Sequence, residues 1–282
     1  MKSLYLVAHP SVKNIAEIVR TVVECAHRYS IKISTTNEIS HLVPDFSFEN
    51  ENSLQHDCDA VLAIGGDGTF LRANEIAYQN HLPVLGINCG HLGFLADVEL
   101  NQLDMAMQVL SEDAYSLEER MMIHIQTGQH EYYALNDAVI SRGEYTRLIH
   151  FQTFVNNQAL GSYRADGLII ATPTGSTGYS LSAGGPIVCP DVECMLVTPI
   201  CPHTLQQRPV VTGVESSLTV RLLSGSKAVL TIDGQNLVQL EENSIINVNY
   251  ASRKTKFVRI KENDYFEKIR YKLVAWSSNS IE

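Results

Sequence analysis

Short apolar runs alternate with helical patterns along the first hundred residues of the chain. The apolar runs are typical of buried strands, and they cover Leu4–Ala8, Ile31–Thr36, Ala60–Ile64 and Pro83–Asn88. Apolar residues at three- and four-residue steps predict a helix after Ser11, whose side chain can cap it. Further helices are predicted over Phe70–Tyr78 and Leu103–Leu110. Strands that alternate with helices indicate a parallel sheet with crossover helices.

After about Glu119 the apolar pattern changes to a period of two. Alternation over Ile149–Val155, Leu218–Leu222 and Ile246–Tyr250, with a turn at Asn156-Asn157, predicts antiparallel hairpins. The spacing returns to that of a helix from about residue 263 to residue 276.

The switch in period predicts two domains, which the length of 282 residues also suggests. We expect an α/β domain over 1–104 with 262–282, and a β-rich domain over 105–261. No flexible linker separates them, so a cleft between the two is the default place for a ligand.

Composition and charge exclude several function classes. Lys and Arg number 21 against 31 Asp and Glu, giving a net charge of -10, so a nucleic-acid or anionic-membrane partner is not expected. No apolar run is long enough to span a bilayer, and the N-terminal run predicts a strand, not a signal peptide. The six cysteines contain no C-x-x-C pair and indicate reduced packing thiols. These features predict a cytoplasmic protein.

A glycine-rich loop follows the strand Ala60–Ile64. Its sequence is Gly65-Gly66-Asp67-Gly68-Thr69, and a helix is predicted to begin near Thr69. Glycines at a strand end allow the backbone to approach a ligand, and the N–H groups of the next helix bind phosphate. A carboxylate in an anion-binding loop suggests a metal ligand or an acceptor of a hydroxyl proton. The alternative is an ordinary glycine turn.

Known phosphate-binding signatures do not match this loop. The P-loop pattern with its lysine is absent, and the third glycine of the dinucleotide fingerprint is missing. The H-R-D and D-F-G sequences of protein kinases are absent as well.

A second motif begins at Arg164-Ala165-Asp166-Gly167 and continues, after an apolar run, through Thr172–Pro186. This last segment reads TPTGSTGYSLSAGGP. Its hydroxyls and exposed backbone suit a nucleoside, Tyr179 could stack on a base, and Asp166 could accept from an amide or a ribose hydroxyl. The alternative is a long surface loop, which is uncommon without a function.

Two short polar motifs complete the candidates. Asn136-Asp137 interrupts the otherwise apolar strand predicted over Tyr132–Ile140, and Asp233-Gly234 ends another strand. A strand end or bulge is the alternative for the first, and an ordinary turn for the second.

Taken together, these motifs resemble the NAD kinase family in their sequence and order. Further matching segments are Gly86-Ile87-Asn88, Leu92-Gly93-Phe94-Leu95, Pro202-His203-Thr204, Arg208-Pro209 and Phe266…Arg270…Lys272-Leu273. The likeness runs from about residue 60 to 276. The Gly-Gly-Asp-Gly-Thr element is shared with lipid kinases and phosphofructokinases, whereas the Thr172–Pro186 segment is close to diagnostic.

The resemblance implies transfer of the γ-phosphoryl group of ATP, or sometimes of polyphosphate, to the 2′-hydroxyl of the adenosine ribose of NAD. Asp67 would be the catalytic proton acceptor. Gly65, Gly66, Gly68 and Thr69 would bind the phosphate donor together with a divalent cation, Mg²⁺ or Mn²⁺, whose protein ligands are not assigned.

The resemblance also implies a set of NAD-binding residues. Asn136 and Asp137 would bind the adenosine and ribose, and Arg164 and Asp166 the phosphate and nicotinamide side. The other implied contacts are Asp67, Gly68, Arg147, Thr177, Gly178, Tyr179, Ser180, Leu181, Ser182 and Gln235, of which Thr177–Ser182 would line the adenine pocket.

Three positions depart from the usual family pattern. Gly178 stands where alanine is common, Asp137 replaces a frequent glutamate, and His91 replaces a longer basic residue. The resemblance suggests homodimers or homotetramers. A lipid kinase would not need the Arg164–Pro186 stretch, and a protein that only senses NAD would not need Asp67.

Overall fold

The computed structural model describes residues 1–10, 12–46, 48, 58–90, 93–143, 147–203, 207–223, 227–261 and 265–278. The chain divides into two compact units. Unit 1 comprises Met1–Glu118 and Lys256–Glu282, and unit 2 comprises Glu119–Thr255. These boundaries differ from the predicted 104/105 and 261/262 because strands at 116–120 and 255–259 complete the sheet of unit 1.

Unit 1 is an α/β unit. Its strands are β1 (Ser3–Ala8), β2 (Lys32–Thr35), β3 (Ala60–Gly65), β4 (Val84–Asn88), β5 (Val98–Glu99), β6 (Ser116–Arg120) and β19 (Thr255–Arg259). Its helices are α1 (Ile15–Arg28), α2 (Asn37–Ser40), α3 (Asp67–Gln79), α4 (Leu103–Ser111) and α6 (Tyr265–Ser278), with a 3₁₀ turn at Leu100–Gln102. The strand order is β2-β1-β3-β4-β19-β6, with β5 beside β4. Pairing from β2 through β4 is parallel, which confirms the predicted fold class.

Helix α1 begins later than the sequence predicts. Its N-cap residue is Asn14, in the left-handed conformation at φ 58°, and the Asn14 side chain makes no capping bond. Ser11, the predicted cap, lies outside the described residues. The apolar face is as predicted, since Val19, Val22 and Ala26 are buried in one core cluster with strands β1 and β3. None of the described helices combines the length and the apolar composition needed to cross a bilayer.

Unit 2 consists mainly of antiparallel strands. They are β7 (Ile123–Thr127), β8 (His130–Ala134), β9 (Asp137–Ser141), β10 (Ile149–Val155), β11 (Gln158–Ala165), β12 (Gly167–Ala171), β13 (Cys194–Ile200), β14 (Val210–Gly213), β15 (Leu218–Leu222), β16 (Ala228–Ile232), β17 (Gln235–Leu240) and β18 (Ile245–Tyr250). One sheet has the order β11-β10-β15-β18-β7-β8, and the other the order β14-β13-β12-β9-β16-β17. The β-rich character predicted for this part of the chain is confirmed.

The two sheets of unit 2 share one apolar core. Phe151 from the first sheet and Leu168 and Ile170 from the second belong to the same buried cluster. Strand β12 is buried on both faces, because Ile169 and Ala171 pack into a smaller cluster on the other side. The segment that follows β12 helps to cover this second face and is thereby held against the sheet.

The strand predicted over Tyr132–Ile140 is two strands, and the prediction of one is wrong. The chain leaves one sheet at the end of β8 and enters the other at the start of β9. Leu135 and Asn136 form the crossing between the sheets. The two polar residues that interrupt the apolar pattern therefore mark a change of sheet.

The six cysteines are free thiols, and Cys25, Cys58 and Cys194 are buried. Burial raises the pKa of the Cys89 thiol to about 11. The three buried side chains fit the predicted role of packing thiols, whereas Cys201 is exposed.

Candidate functional site

The glycine loop of unit 1 connects β3 to α3. Gly65 ends the strand at φ 153°, and a side chain there would collide with that of Thr69. Gly66 is the N-cap of α3, and a methyl group added to Gly66 or Gly68 would meet open space. The first N–H groups of a helix have no partner within the helix. The loop therefore presents accessible donors at the positive end of a helix dipole, which suits a phosphate.

Helix α3 begins at Asp67, two residues before the predicted start near Thr69. Oδ2 of Asp67 accepts the N–H of Phe94 at 2.9 Å, and Oδ1 accepts the N–H of Leu95 at 3.1 Å. A side chain on Gly93 would collide with Oδ1. The Gly93–Leu95 segment thus fixes the carboxylate, whose side chain remains 32% exposed. Each oxygen keeps a lone pair for a substrate hydroxyl or a metal ion.

Lys272 on α6 is the cation next to this carboxylate. Its Nζ lies 4.0 Å from Oδ2 of Asp67 and 4.2 Å from the centroid of the Phe94 ring. Burial lowers the pKa of Lys272, while the charge of Asp67 raises it. Lys272 lies among the segments that resemble the family, but the sequence alone assigned it no function. A single lysine in a helical pattern does not indicate a functional residue.

The end of β4 lies beside the end of β3 in the parallel sheet. Asn88 is paired in register with Gly65, and its Oδ1 accepts the N–H of Gly90 at 3.0 Å. The carboxyl ends of parallel strands are the usual place for a ligand in an open α/β sheet. His91, whose role the sequence left open, lies outside the described residues.

In unit 2 the crossing between β8 and β9 is held by Asp233. Its carboxylate accepts the N–H groups of Leu135, Asn136 and Asp137 at 2.8, 2.8 and 3.0 Å. Asp233 and Gly234 form the turn between β16 and β17, with φ angles of 49° and 70°. The predicted turn at these residues is confirmed, but its carboxylate has a function in the fold that the sequence did not indicate.

Asn136 and Asp137 are differently placed. Oδ1 of Asn136 is buried and has no hydrogen-bond partner in the described part of the chain. An acceptor left in this state is costly unless a ligand supplies a donor. Asp137 is 6% exposed, and burial, followed by the charge of Asp233, raises the pKa of its carboxyl group to about 7.

The segment predicted over Thr172–Pro186 is compact. It forms a 3₁₀ turn at Thr174–Thr177 and the short helix α5 (Tyr179–Ser182). Buried hydroxyls hold it, as Oγ of Ser180 lies 3.0 Å from Oγ1 of Thr198 and Ser176 bonds to Val188. The alternative of a long surface loop is therefore wrong.

This segment lies against Asn136. A side chain on Gly175 would collide with the carbonyl of Asn136, and one on Gly178 would come within 3.9 Å of its Nδ2. Tyr179 is 47% exposed, and Leu181 and Ser182 are also accessible. The structure thus brings Gly178 next to Asn136, while the hydroxyl of Ser180 is engaged within the protein.

The other predicted contacts are more dispersed. Asp166, after β11, pairs with Arg142 at 2.7 Å, which the sequence did not indicate. The carbonyl of Arg164 accepts the N–H of His203 at 2.9 Å, and Arg147 is exposed before β10. Gln235 begins β17, directly after the Asp233-Gly234 turn.

Clusters of metal ligands are absent from the described ranges. No group of three or more His, Cys, Asp or Glu side chains there is arranged to hold an ion.

A parallel α/β unit whose glycine loop carries a fixed carboxylate, with a β unit that holds a glycine- and hydroxyl-rich segment, is the arrangement expected of a kinase that acts on a small-molecule nucleotide. Comparison with family models identifies the kind of kinase. Residues 4–115 match the ATP-NAD kinase N-terminal domain, and residues 135–260 match the ATP-NAD kinase C-terminal domain. The chain belongs to the ATP-NAD kinase family.

Individual relatives agree. The chain is 37% identical to an NAD kinase of Desulforamulus reducens over 99% of both chains. It is 44% identical to one of Geobacter metallireducens over 76% of this chain and 78% of the other. The fold matches yeast NADH kinase complexed with NADH at a TM-score of 0.87 and 25% identity, over 96% of this chain and 86% of that one. An NAD kinase from Archaeoglobus fulgidus shares the fold at a TM-score of 0.77 and 24% identity, over 96% and 98%.

The enzyme is therefore an NAD kinase, which phosphorylates NAD with ATP as donor.

Proposed function

We propose that Asp67 is the proton acceptor for the 2′-hydroxyl of the adenosine ribose of NAD. The observation that carries the proposal is the fixed carboxylate of Asp67, held by the N–H groups of Phe94 and Leu95 at the start of α3. Its main contribution is to orient the hydroxyl and to remove the proton late. This agrees with a loose transition state for phosphoryl transfer.

The loop Gly65–Thr69 binds the phosphates of the donor. Support comes from the open space around Gly66 and Gly68, which admits phosphate oxygens close to the backbone. The exposed helix start supplies N–H donors, so that alignment and charge neutralisation carry most of the rate.

A divalent cation, Mg²⁺ or Mn²⁺, accompanies the donor. Mg²⁺ is commonly bound by one or two carboxylates with substrate phosphates and water. Asp67 with its remaining lone pairs fits that pattern, and the lack of a larger ligand cluster in the described residues fits a cation that arrives with the nucleotide. The cation would neutralise charge on the transferred phosphoryl group.

The dinucleotide binds along unit 2. Asn136 presents a buried acceptor without a partner, which a donor on the adenosine would satisfy. Asp137, the first residue of β9, is its neighbour. Gly178 and the accessible Tyr179 lie on the segment packed against Asn136, and the adenine ring binds beside them.

The remaining contacts of the dinucleotide follow the resemblance. Arg164 and Asp166 bind the phosphate and nicotinamide side, with Arg147 and Gln235 as further contacts. Thr177, Ser180, Leu181 and Ser182 shape the adenine pocket, Ser180 through its bond to Thr198. We also propose a homodimer or homotetramer in the cytoplasm, where ATP and NAD are available.

The test is NADP formation from NAD, ATP and Mg²⁺ by the purified protein, coupled to an NADP-specific dehydrogenase. Asp67→Asn should lower kcat by roughly 10²–10⁴-fold, the usual range for a general base. Its affinity for NAD, measured by calorimetry, should change little. Asp113→Asn, at a carboxylate that is 72% exposed, is the matched control. Equal losses of turnover and of NAD binding would contradict the role of Asp67.

A further inference from the structure

Asp233 has no role in the proposed function. It nevertheless forms four hydrogen bonds with the backbone of Leu135–Asp137, the segment that carries the proposed NAD contacts. Its two carboxylate oxygens accept three consecutive backbone N–H groups, those of Leu135, Asn136 and Asp137. Its own N–H donates to the carbonyl of Asp137 at 3.0 Å. The two segments are 96 to 98 residues apart along the chain.

Thr172 holds the same crossing from the other side. Its N–H donates to the carbonyl of Asn136 at 2.9 Å, and its hydroxyl donates to the carbonyl of Leu135. All six backbone polar groups of Leu135–Asp137 are therefore paired with Asp233 or Thr172.

A carboxylate at this place supplies acceptors for backbone N–H groups that have no partner in a sheet. A chain that leaves one sheet and enters another loses the ladder partners of its N–H groups, and buried N–H groups without acceptors are costly. A charged acceptor forms the stronger bonds. Asparagine offers one acceptor oxygen in place of two, and its NH₂ group would point a donor at a donor.

We propose that Asp233 is a positioning residue for NAD, which acts by fixing the backbone that carries Asn136 and Asp137. The inference rests on the proposed function of those two residues. With this backbone fixed, the Asn136 amide and the Asp137 carboxyl group are held in place before NAD binds. A loosened crossing would have to be ordered by the ligand, at a cost in affinity.

The experiment is steady-state kinetics of Asp233→Asn in the full-length enzyme. The expected result is a rise of about 10-fold or more in KM for NAD, with kcat within about threefold and KM for ATP within about twofold. Asp59→Asn is the matched control, because Oδ2 of Asp59 also accepts backbone N–H groups, those of Lys2 and Ser3. A KM for NAD that does not change, or a parallel loss in all three constants, would overturn the inference.

Asn136→Ala separates the two proposals. If Asn136→Ala raises KM for NAD but Asp233→Asn does not, only the positioning role is wrong. If Asn136→Ala leaves KM unchanged, the proposed dinucleotide contact itself is wrong. In the double variant, a rise in KM smaller than the product of the single effects supports action through Asn136, and a full product contradicts it.

A second pair of variants guards against a failure of Asp233→Asn to fold. Thr172→Val keeps the shape of the side chain but removes the hydroxyl, which bonds to Leu135 and accepts the N–H of Gly175, whereas Thr172→Ser keeps the hydroxyl. A raised KM for NAD in the valine variant, restored in the serine variant, supports the fixed crossing. A folded valine variant with unchanged KM overturns it.

Discussion

The ammonium group of Lys272 lies 4.0 Å from the carboxylate of Asp67 and over the ring of Phe94, whose N–H holds the same carboxylate. Helix α6 thus returns, from late in the chain, to the glycine loop of unit 1. The ammonium group thus places a positive charge beside the proposed proton acceptor.

Removal of the positive charge of Lys272 should slow the reaction. We expect Lys272→Met to lower kcat about 10-fold, a factor that corresponds to about 1.4 kcal/mol in the barrier. Lys272→Arg should restore part of it. Lys261→Met, which removes an exposed lysine near Gln102, is the control. The NADP-forming assay measures all three, and an unchanged kcat in Lys272→Met would show that the charge has no part in turnover.

Gly93 should tolerate no side chain. A methyl group there would occupy the position of Oδ1 of Asp67, so the carboxylate would have to turn away from Phe94 and Leu95. We expect Gly93→Ala to lower kcat at least about 10-fold. Gly90→Ala is the matched control in the same segment, because a methyl group there meets open space. Similar kinetics for the two variants would contradict this expectation.

Stability should depend on pH through Asp137. Burial first, and Asp233 second, raise the pKa of its carboxyl group from 3.8 to about 7. The folded protein therefore binds this proton more tightly than the unfolded chain. The resulting stabilisation is complete below about pH 4 and is lost as the pH rises to about 7.

Asp137→Asn should reveal this dependence, since asparagine does not titrate. Its free energy of unfolding, relative to that of the parent, should rise by about 2–4 kcal/mol between pH 4.5 and pH 8. Urea unfolding at the two pH values measures it. Asp45→Asn, which alters an exposed pair with Arg20, should show a much smaller change. A difference independent of pH would mean that Asp137 is ionised throughout.

A buried ionic cluster anchors α6 in unit 1. Asp97 pairs with Arg259 and with Lys268, whose side chains are 6% and 13% exposed, and Arg259 also pairs with Glu118. Burial lowers the pKa of Arg259 to about 10. Loss of Asp97 would leave two buried cations with less compensation.

Asp97→Ala should therefore be strongly destabilising. We expect a loss of about 3–5 kcal/mol in the free energy of unfolding, measured by urea denaturation. Asp104→Ala, which removes an exposed partner of Arg28, should cost much less. Comparable losses in the two variants would mean that burial does not strengthen the Asp97 cluster.

Local pattern was enough for most of the fold. The period of apolar residues located β3, β4 and α4, and its change near Glu119 marked the β-rich part. The helix start at Asp67 was missed, and the strand end before Asp137 was foreseen only as the alternative. Distant segments bond to both places, Phe94-Leu95 in one case and Asp233 in the other.

By itself the sequence determined the alternation of strands and helices, the change to antiparallel strands, and the motifs that identify the family. It did so because periodicity and glycine-rich turns are properties of neighbouring residues. Only the tertiary structure decided which groups hold those motifs in place. Lys272 lies beside Asp67, and Asp233 bonds to Leu135–Asp137. These residues are too far apart along the chain for local sequence patterns to predict their contacts. Hydrogen bonds and charges operate over a few ångströms of space, and folding alone brings these residues within that range.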